Sequence, residues 1–183
     1  MFPHMFIMAL ALLHVDTAHS SAGFTIKHFL VGSTHGTMKV ASVDMALQAN
    51  SAVPASIDAV VDVGSVNTSD AGRDDDLRSE EWFDVAHYPT LHFTSTRVES
   101  GSKPNAFRVD GNLSLHGISK PVPLDCTVSD TMDHGVHHYH YVATTTFDRR
   151  DFKVDAPNKT LHGPLFIGTS VTVRIDLDMV EAG

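Results

Sequence analysis

Thirteen histidines in a chain of 183 residues make imidazole the most conspicuous chemical group in this sequence. They crowd most closely in HGVHHYHY, residues 134–141. On a strand, His138 and His140 fall on one face, a spacing that could supply two imidazoles to zinc or copper. A third ligand does not follow, because His134 stands across Gly135 and the carboxylates of Asp130 and Asp133 fall in a turn. Polar residues at a hairpin mouth account for the same letters, and neither a metal nor a cofactor is expected. His19, His28 and His116 offer either acid–base chemistry or hydrogen bonds to backbone at strand ends or to the polar head of a ligand. Nucleophilic catalysis needs a serine or cysteine on a sharp turn beside a base, and no G-x-S-x-G occurs. The single cysteine, Cys126, shares an apolar strand face with Leu124 and Val128, where a thiol packs and does not react. No glycine-rich phosphate loop is present. No catalytic residue is assigned.

A second kind of chemistry is suggested by RDDDLRSEEWFDVAHYP, residues 73–89, where a dense run of charge turns aromatic. Its apolar residues do not alternate, and Ser79 precedes Glu80 and Glu81 as a helix N-cap would. The pattern predicts a short helical segment around residues 77–86, stopped by the extended preference before Pro89. Its charges would face water and its aromatics something apolar. It either plugs one end of the fold or bounds a ligand entrance lined by Trp82 and Phe83.

The elements that must position these residues alternate with period two, the mark of half-buried strands. Phe24, Ile26 and His28 share one face. Met38 and Val40 hold one phase and Val43, Met45 and Leu47 the other, which predicts a bulge near Ala41–Ser42. Ile57, Ala59, Val61 and Val63 form the next face, and Leu91 and Phe93 open a strand that pairs as a hairpin with Phe107, Val109, Leu113 and Leu115. Pro121 and Pro123 predict a free edge or bulge on the strand through Val122, Leu124, Cys126 and Val128. Two last strands carry Tyr139, Tyr141 and Phe147, then Val171, Val173, Ile175, Leu177 and Met179. Some eight strands with short connections predict an all-β antiparallel sheet, closed as a barrel, with a sandwich as the alternative. Its lumen either packs solid or holds one small ligand.

With 42% hydrophobic residues the chain can bury one good core, and one domain is expected. The net charge of −9 repels phosphate backbones, so nucleic acid is excluded as a partner. The opening MFPHMFIMALALL is too short to cross a bilayer as a helix, and no integral membrane span is expected elsewhere. Residues 1–13 read either as a weak secretory leader, with Ala9-Leu10-Ala11 as the small-x-small cleavage site, or as a first strand. The domain is expected over residues 14–183. A processed leader implies a periplasmic or secreted protein; an intact one implies the cytoplasm.

Five stretches in register resemble the polyisoprenoid-binding (YceI-like) family: DTAHSSAGFTIKH from Asp16, the charged and aromatic block, NLSLHGISKPVPL from Asn112, FDRRDF from Phe147, and IGTSVTVRIDL from Ile167. The resemblance implies an eight-stranded lipocalin-like barrel that holds an isoprenoid or similar long-chain lipid without catalysis, for transport, storage or scavenging. It departs from the family at Trp82, where a phenylalanine is usual, and at Lys153, where glycine is common. Ligand contacts are expected from Phe24, Ile26, His28, Val61, Trp82, Phe83, Phe93, Phe107, Leu113, Tyr141, Phe147, Phe152 and Val173. The partner is a lipid, with a dimer open. The alternative function is a histidine acid–base enzyme on the same barrel.

Overall fold

A computed structural model describes residues 12–28, 32–155 and 167–181. In chain order the elements are β1 (Leu12–Val15), β2 (Ser21–His28), β3 (Gly32–Leu47), β4 (Pro54–Asn67), α1 (Ala71–Arg78), β5 (Thr90–Ser100), β6 (Ala106–Leu115), β7 (Ile118–Asp133), β8 (Val136–Asp148), a 3-10 turn (Arg149–Phe152) and β9 (Ile167–Glu181). Every paired strand is antiparallel, and the β3–β4 pairing closes the sheet into a ring. Closure pairs every described strand on both sides over at least part of its length, which removes the long free edges an open sheet would have.

Nine strands fill eight places in that ring. β1 and β2 occupy one slot between β3 and β9: Leu13 pairs with Met45 and Glu181, and Ser21 pairs with Lys39 and Asp176. The interruption follows from DTAHS. The Asp16 carboxylate accepts from Ala18 N at 3.0 Å and pairs with His19 Nδ1 at 2.7 Å, turning the chain outward. The Ser20 hydroxyl then accepts from Asp178 N at 3.0 Å, replacing a missing ladder bond. The leader expected over residues 1–13 overlaps β1 at Leu12 and Leu13; residues 1–11 lie outside the described residues.

Two expected irregularities appear. The β3–β4 register shifts between Val40 and Ser42, which keeps Met38, Val40, Val43, Met45 and Leu47 all buried on one face. Pro121 and Pro123 lie in the part of β7 that pairs with β6 alone, since β8 joins β7 only from Asp125. No ladder bond is lost there for want of an N–H.

The helix differs from expectation. It spans Ala71–Arg78, not 77–86, and Ser79 is its C-cap, with both its N–H and its hydroxyl donating to Asp76 O. Asp70 is the N-cap, accepting from Arg73 N at 3.0 Å. The charges do not all face water either. Asp74 is buried and accepts from Thr68 N and Thr68 Oγ1, which holds its carboxyl below the usual range. Arg78 donates to Gly64 O and Val66 O, both at 2.8 Å, where β4 runs out of strand partners. The charged run thus pins α1 onto the barrel end. The turns after it, through His87, carry Trp82 and Phe83.

The 3-10 turn ends at Lys153 with a left-handed backbone, φ 54°. That conformation favours glycine, so a lysine holds it at a cost in backbone strain. Lys153→Gly is expected to raise stability by about 1 kcal/mol, read as a rise in urea midpoint at unchanged slope.

Candidate functional site

Inside the barrel lies a cavity of about 160 Å³ whose wall is almost wholly apolar. A void on that scale holds a benzene-sized apolar molecule and stays dry when empty, because its walls offer water no partners. Eleven expected residues lie on its wall: Phe24, Ile26, Val61, Trp82, Phe83, Phe93, Phe107, Leu113, Tyr141, Phe147 and Val173. Strand alternation puts them there, since β6 sends Phe107 and Leu113 inward while Arg108 and Asn112 face out. Glycines let two of the rings lie flat. Phe24 pairs with Gly36, Phe93 lies over Gly111, and a β-carbon at either glycine would collide with the ring.

Phe152 does not line the cavity. Only 1% exposed, it stands behind the wall and meets Phe147 edge-on at 5.3 Å. The 3-10 turn rotates it away from the lumen, which strand alternation could not foretell. His28 has its backbone in β2, but its side chain lies outside the described residues.

One end of the lumen lies against α1 and the turns that follow. Leu77, Trp82 and Phe83 line the cavity there with Leu91 and Val154. The Arg149 guanidinium lies over the Trp82 ring, 5.4 Å from its centroid. Arg149 is tied down by three further contacts: Nε donates to Gly168 O at 3.2 Å, and Nη1 to Val154 O at 2.7 Å and Asp155 Oδ1 at 2.8 Å. These interactions place Arg149 and Val154 in the wall, where no periodic pattern points to them; only the FDRRDF motif marked the region.

The histidines take other roles. His116 sits in the two-residue turn joining β6 to β7, where it and Gly117 both have positive φ, and its Nδ1 meets Phe152 O at 3.2 Å. It bonds backbone at a strand end, as one of its expected roles proposed. His19 pairs with Asp16, and His140 Nδ1 with Asp178 at 2.7 Å. Both face a polar hollow outside the barrel together with His138. Among the described residues no three histidine, cysteine, aspartate or glutamate side chains converge on a metal position.

Cys126 lines the lumen, 6% exposed, and burial pushes its thiol up to about 12. Against an ordinary 9.0 that lowers the thiolate fraction about a thousandfold. An anionic disulfide reagent is expected to leave folded protein unmodified and to titrate one thiol after denaturation, followed by absorbance.

Residues 13–179 match the YceI-like domain. A UPF0312 protein of Pseudomonas savastanoi pv. phaseolicola is 30% identical over 144 residues, covering 78% of this chain and 74% of the relative. The crystal structure of the Campylobacter jejuni YCEI protein superposes with a TM-score of 0.74 at 25% identity, covering 92% of this chain and 96% of that one. A polyisoprenoid binding domain from Saccharophagus degradans superposes with a TM-score of 0.67 at 19% identity, covering 96% of this chain and all of that one. Among the described residues no helix is long and apolar enough to cross a membrane.

Proposed function

This chain belongs to the YceI-like family, and from that premise we propose that its barrel binds the hydrocarbon chain of an isoprenoid or similar long-chain lipid, as a carrier or scavenger and without catalysis. The observation that carries the reading is the cavity inside the barrel, with an almost purely apolar wall. Each methylene moved from water into such a site contributes roughly 0.8 kcal/mol, so a long tail binds well without polar contacts. The structural neighbour described as a polyisoprenoid binding domain supports the same ligand class. Histidine acid–base chemistry finds less support, because neither His19 nor His116 reaches the cavity wall.

The test is solvent extraction of purified protein followed by mass spectrometry, with a thermal melt before and after. A lipid near one per chain is expected, with a lower melting temperature once stripped and recovery on adding a prenyl alcohol, by the linkage of binding to folding. Protein that yields no lipid and whose melting no prenyl or acyl chain shifts would contradict the reading.

A periplasmic or secreted location belongs to the proposal. It is supported by the apolar run that precedes the Ala9-Leu10-Ala11 triplet, which has the small-x-small form of a cleavage site. Intact mass of the native protein should then correspond to a chain starting near Leu12; retention of Met1 or Phe2 would rule out processing at that site.

A further inference from the structure

The two ends of the barrel differ. At the α1 end the cavity reaches the half-buried Trp82 and Phe83. At the other end it stops at Tyr141, with Met45, Cys126 and Leu177 around it. Beyond that level Leu13, Leu47, Val128 and Met179 are buried in the same core and touch no part of the cavity. The connection between β3 and β4 closes this end from outside. Gln48 N donates to Val53 O at 3.1 Å and Gln48 Nε2 to Pro54 O at 3.0 Å, while Ala52 O accepts from the Tyr141 hydroxyl at 2.7 Å. The Tyr141 ring is held on two sides, edge-on to Phe107 at 6.3 Å and stacked on Tyr139 at 6.2 Å. The lumen is therefore blind.

We propose that Tyr141 is the floor of the binding site and sets the length of hydrocarbon it takes: a single-tailed amphiphile enters tail first past Trp82 and Phe83, rests its end on the Tyr141 ring, and leaves its polar head at the α1 end. The proposal rests on the lumen being the lipid site. The head stays outside because the wall has almost no polar surface, while Nε and Nη1 of Arg149 beside the entrance already serve Gly168, Val154 and Asp155.

The depth sets a scale. Phe147 and Tyr141, both on the wall, are six positions apart on β8, which spans ~20 Å along the strand and ~15 Å along the axis of a barrel tilted by ~40°. At ~1.2 Å per bond for an extended chain, about twelve carbons reach from entrance to floor. The open volume of about 160 Å³ is smaller than such a chain needs, so filling it displaces side chains at the entrance. Trp82, the chain's one tryptophan, reports that displacement by its fluorescence.

The experiment titrates stripped protein with straight-chain fatty acids of increasing length, each below its micelle concentration. Affinity is expected to tighten roughly four-fold per methylene up to about twelve carbons, then to level off. Tyr141→Ala should move that break to longer chains and Ala143→Leu, one inward position nearer the entrance, to shorter ones. Tyr141→Phe, which keeps the ring, should leave it in place. If Tyr141→Ala does not fold, the wild-type series and Ala143→Leu decide. Affinity that climbs steadily through eighteen carbons, or a break that neither folded variant moves, overturns the floor while leaving the lumen as the lipid site. Absence of saturable binding by any chain overturns both.

Discussion

Replacing Leu113 with tryptophan is expected to weaken lipid binding by roughly two orders of magnitude while leaving the barrel folded. Leu113 points inward from β6 beside Phe93, its partner on β5, and both line the cavity. An indole there projects into space that is open, about 160 Å³ of it. A side chain enlarged into a well-packed core costs about 1–3 kcal/mol, but the void should hold the loss of stability to about 1 kcal/mol. The ligand then loses the same space. Exclusion of about four methylenes, at roughly 0.8 kcal/mol each, accounts for the drop in affinity. Calorimetric titration with a prenyl alcohol measures it, and a thermal melt confirms the fold. Unchanged affinity in a folded variant would mean that the lipid does not use the lumen.

The largest effect on stability is expected from Arg149→Met. The Arg149 side chain is 8% exposed, and the substitution keeps its length but removes all three of its polar contacts. Gly168 O and Val154 O lose a charged donor, Asp155 loses its ion pair, and Trp82 loses the cation above its ring. Stranding polar groups in this way costs about 3 kcal/mol, which for a chain of this size lowers the melting temperature by roughly 6–12 °C. Arg149→Lys should recover little, because an ammonium cannot present the same fork of donors. A melting temperature within 2 °C of wild type would show that the 3-10 turn is held by its apolar contacts alone.

These two residues mark what could and could not be seen in the sequence. Leu113 was legible: strict alternation through Phe107, Val109 and Leu113 leaves one choice of inward face, and every strand with that pattern placed its apolar residues on the wall or in the core. Closure followed from eight such strands with short links, and the shift near Ala41 from a change of phase. Arg149 was not legible as part of the wall. Its place depends on a turn that folds back to meet Gly168 and Trp82, residues distant in sequence, and no local period records such a contact.

The helix fell between these cases. Sequence reasoning points to Ser79 alone as N-cap, although Asp70 carries the same cap chemistry ahead of acidic residues of its own. Asp70 won because Asp74, one turn on, also takes the amide and hydroxyl of Thr68, so the helix starts bonded to the end of β4. Starting at Ser79 would have wound Trp82 and Phe83 into a helix; the turns that replace it bring both side chains to the lumen. Phe152 shows the opposite error, an aromatic assigned to the site that supports it from behind.

Whether the hydrocarbon lies inside the barrel can be read by photocrosslinking stripped protein with a prenyl alcohol that carries a diazirine near the end of its tail, followed by peptide mapping. A tail in the lumen should label Tyr141, Phe107 or Leu177, deep in the wall. That labelling should be abolished by excess unlabelled prenyl alcohol and absent from the outward-facing residues of the same strands, such as Arg108 and His140. Labelling confined to the outer surface, or labelling that excess unlabelled alcohol does not compete, would contradict that placement.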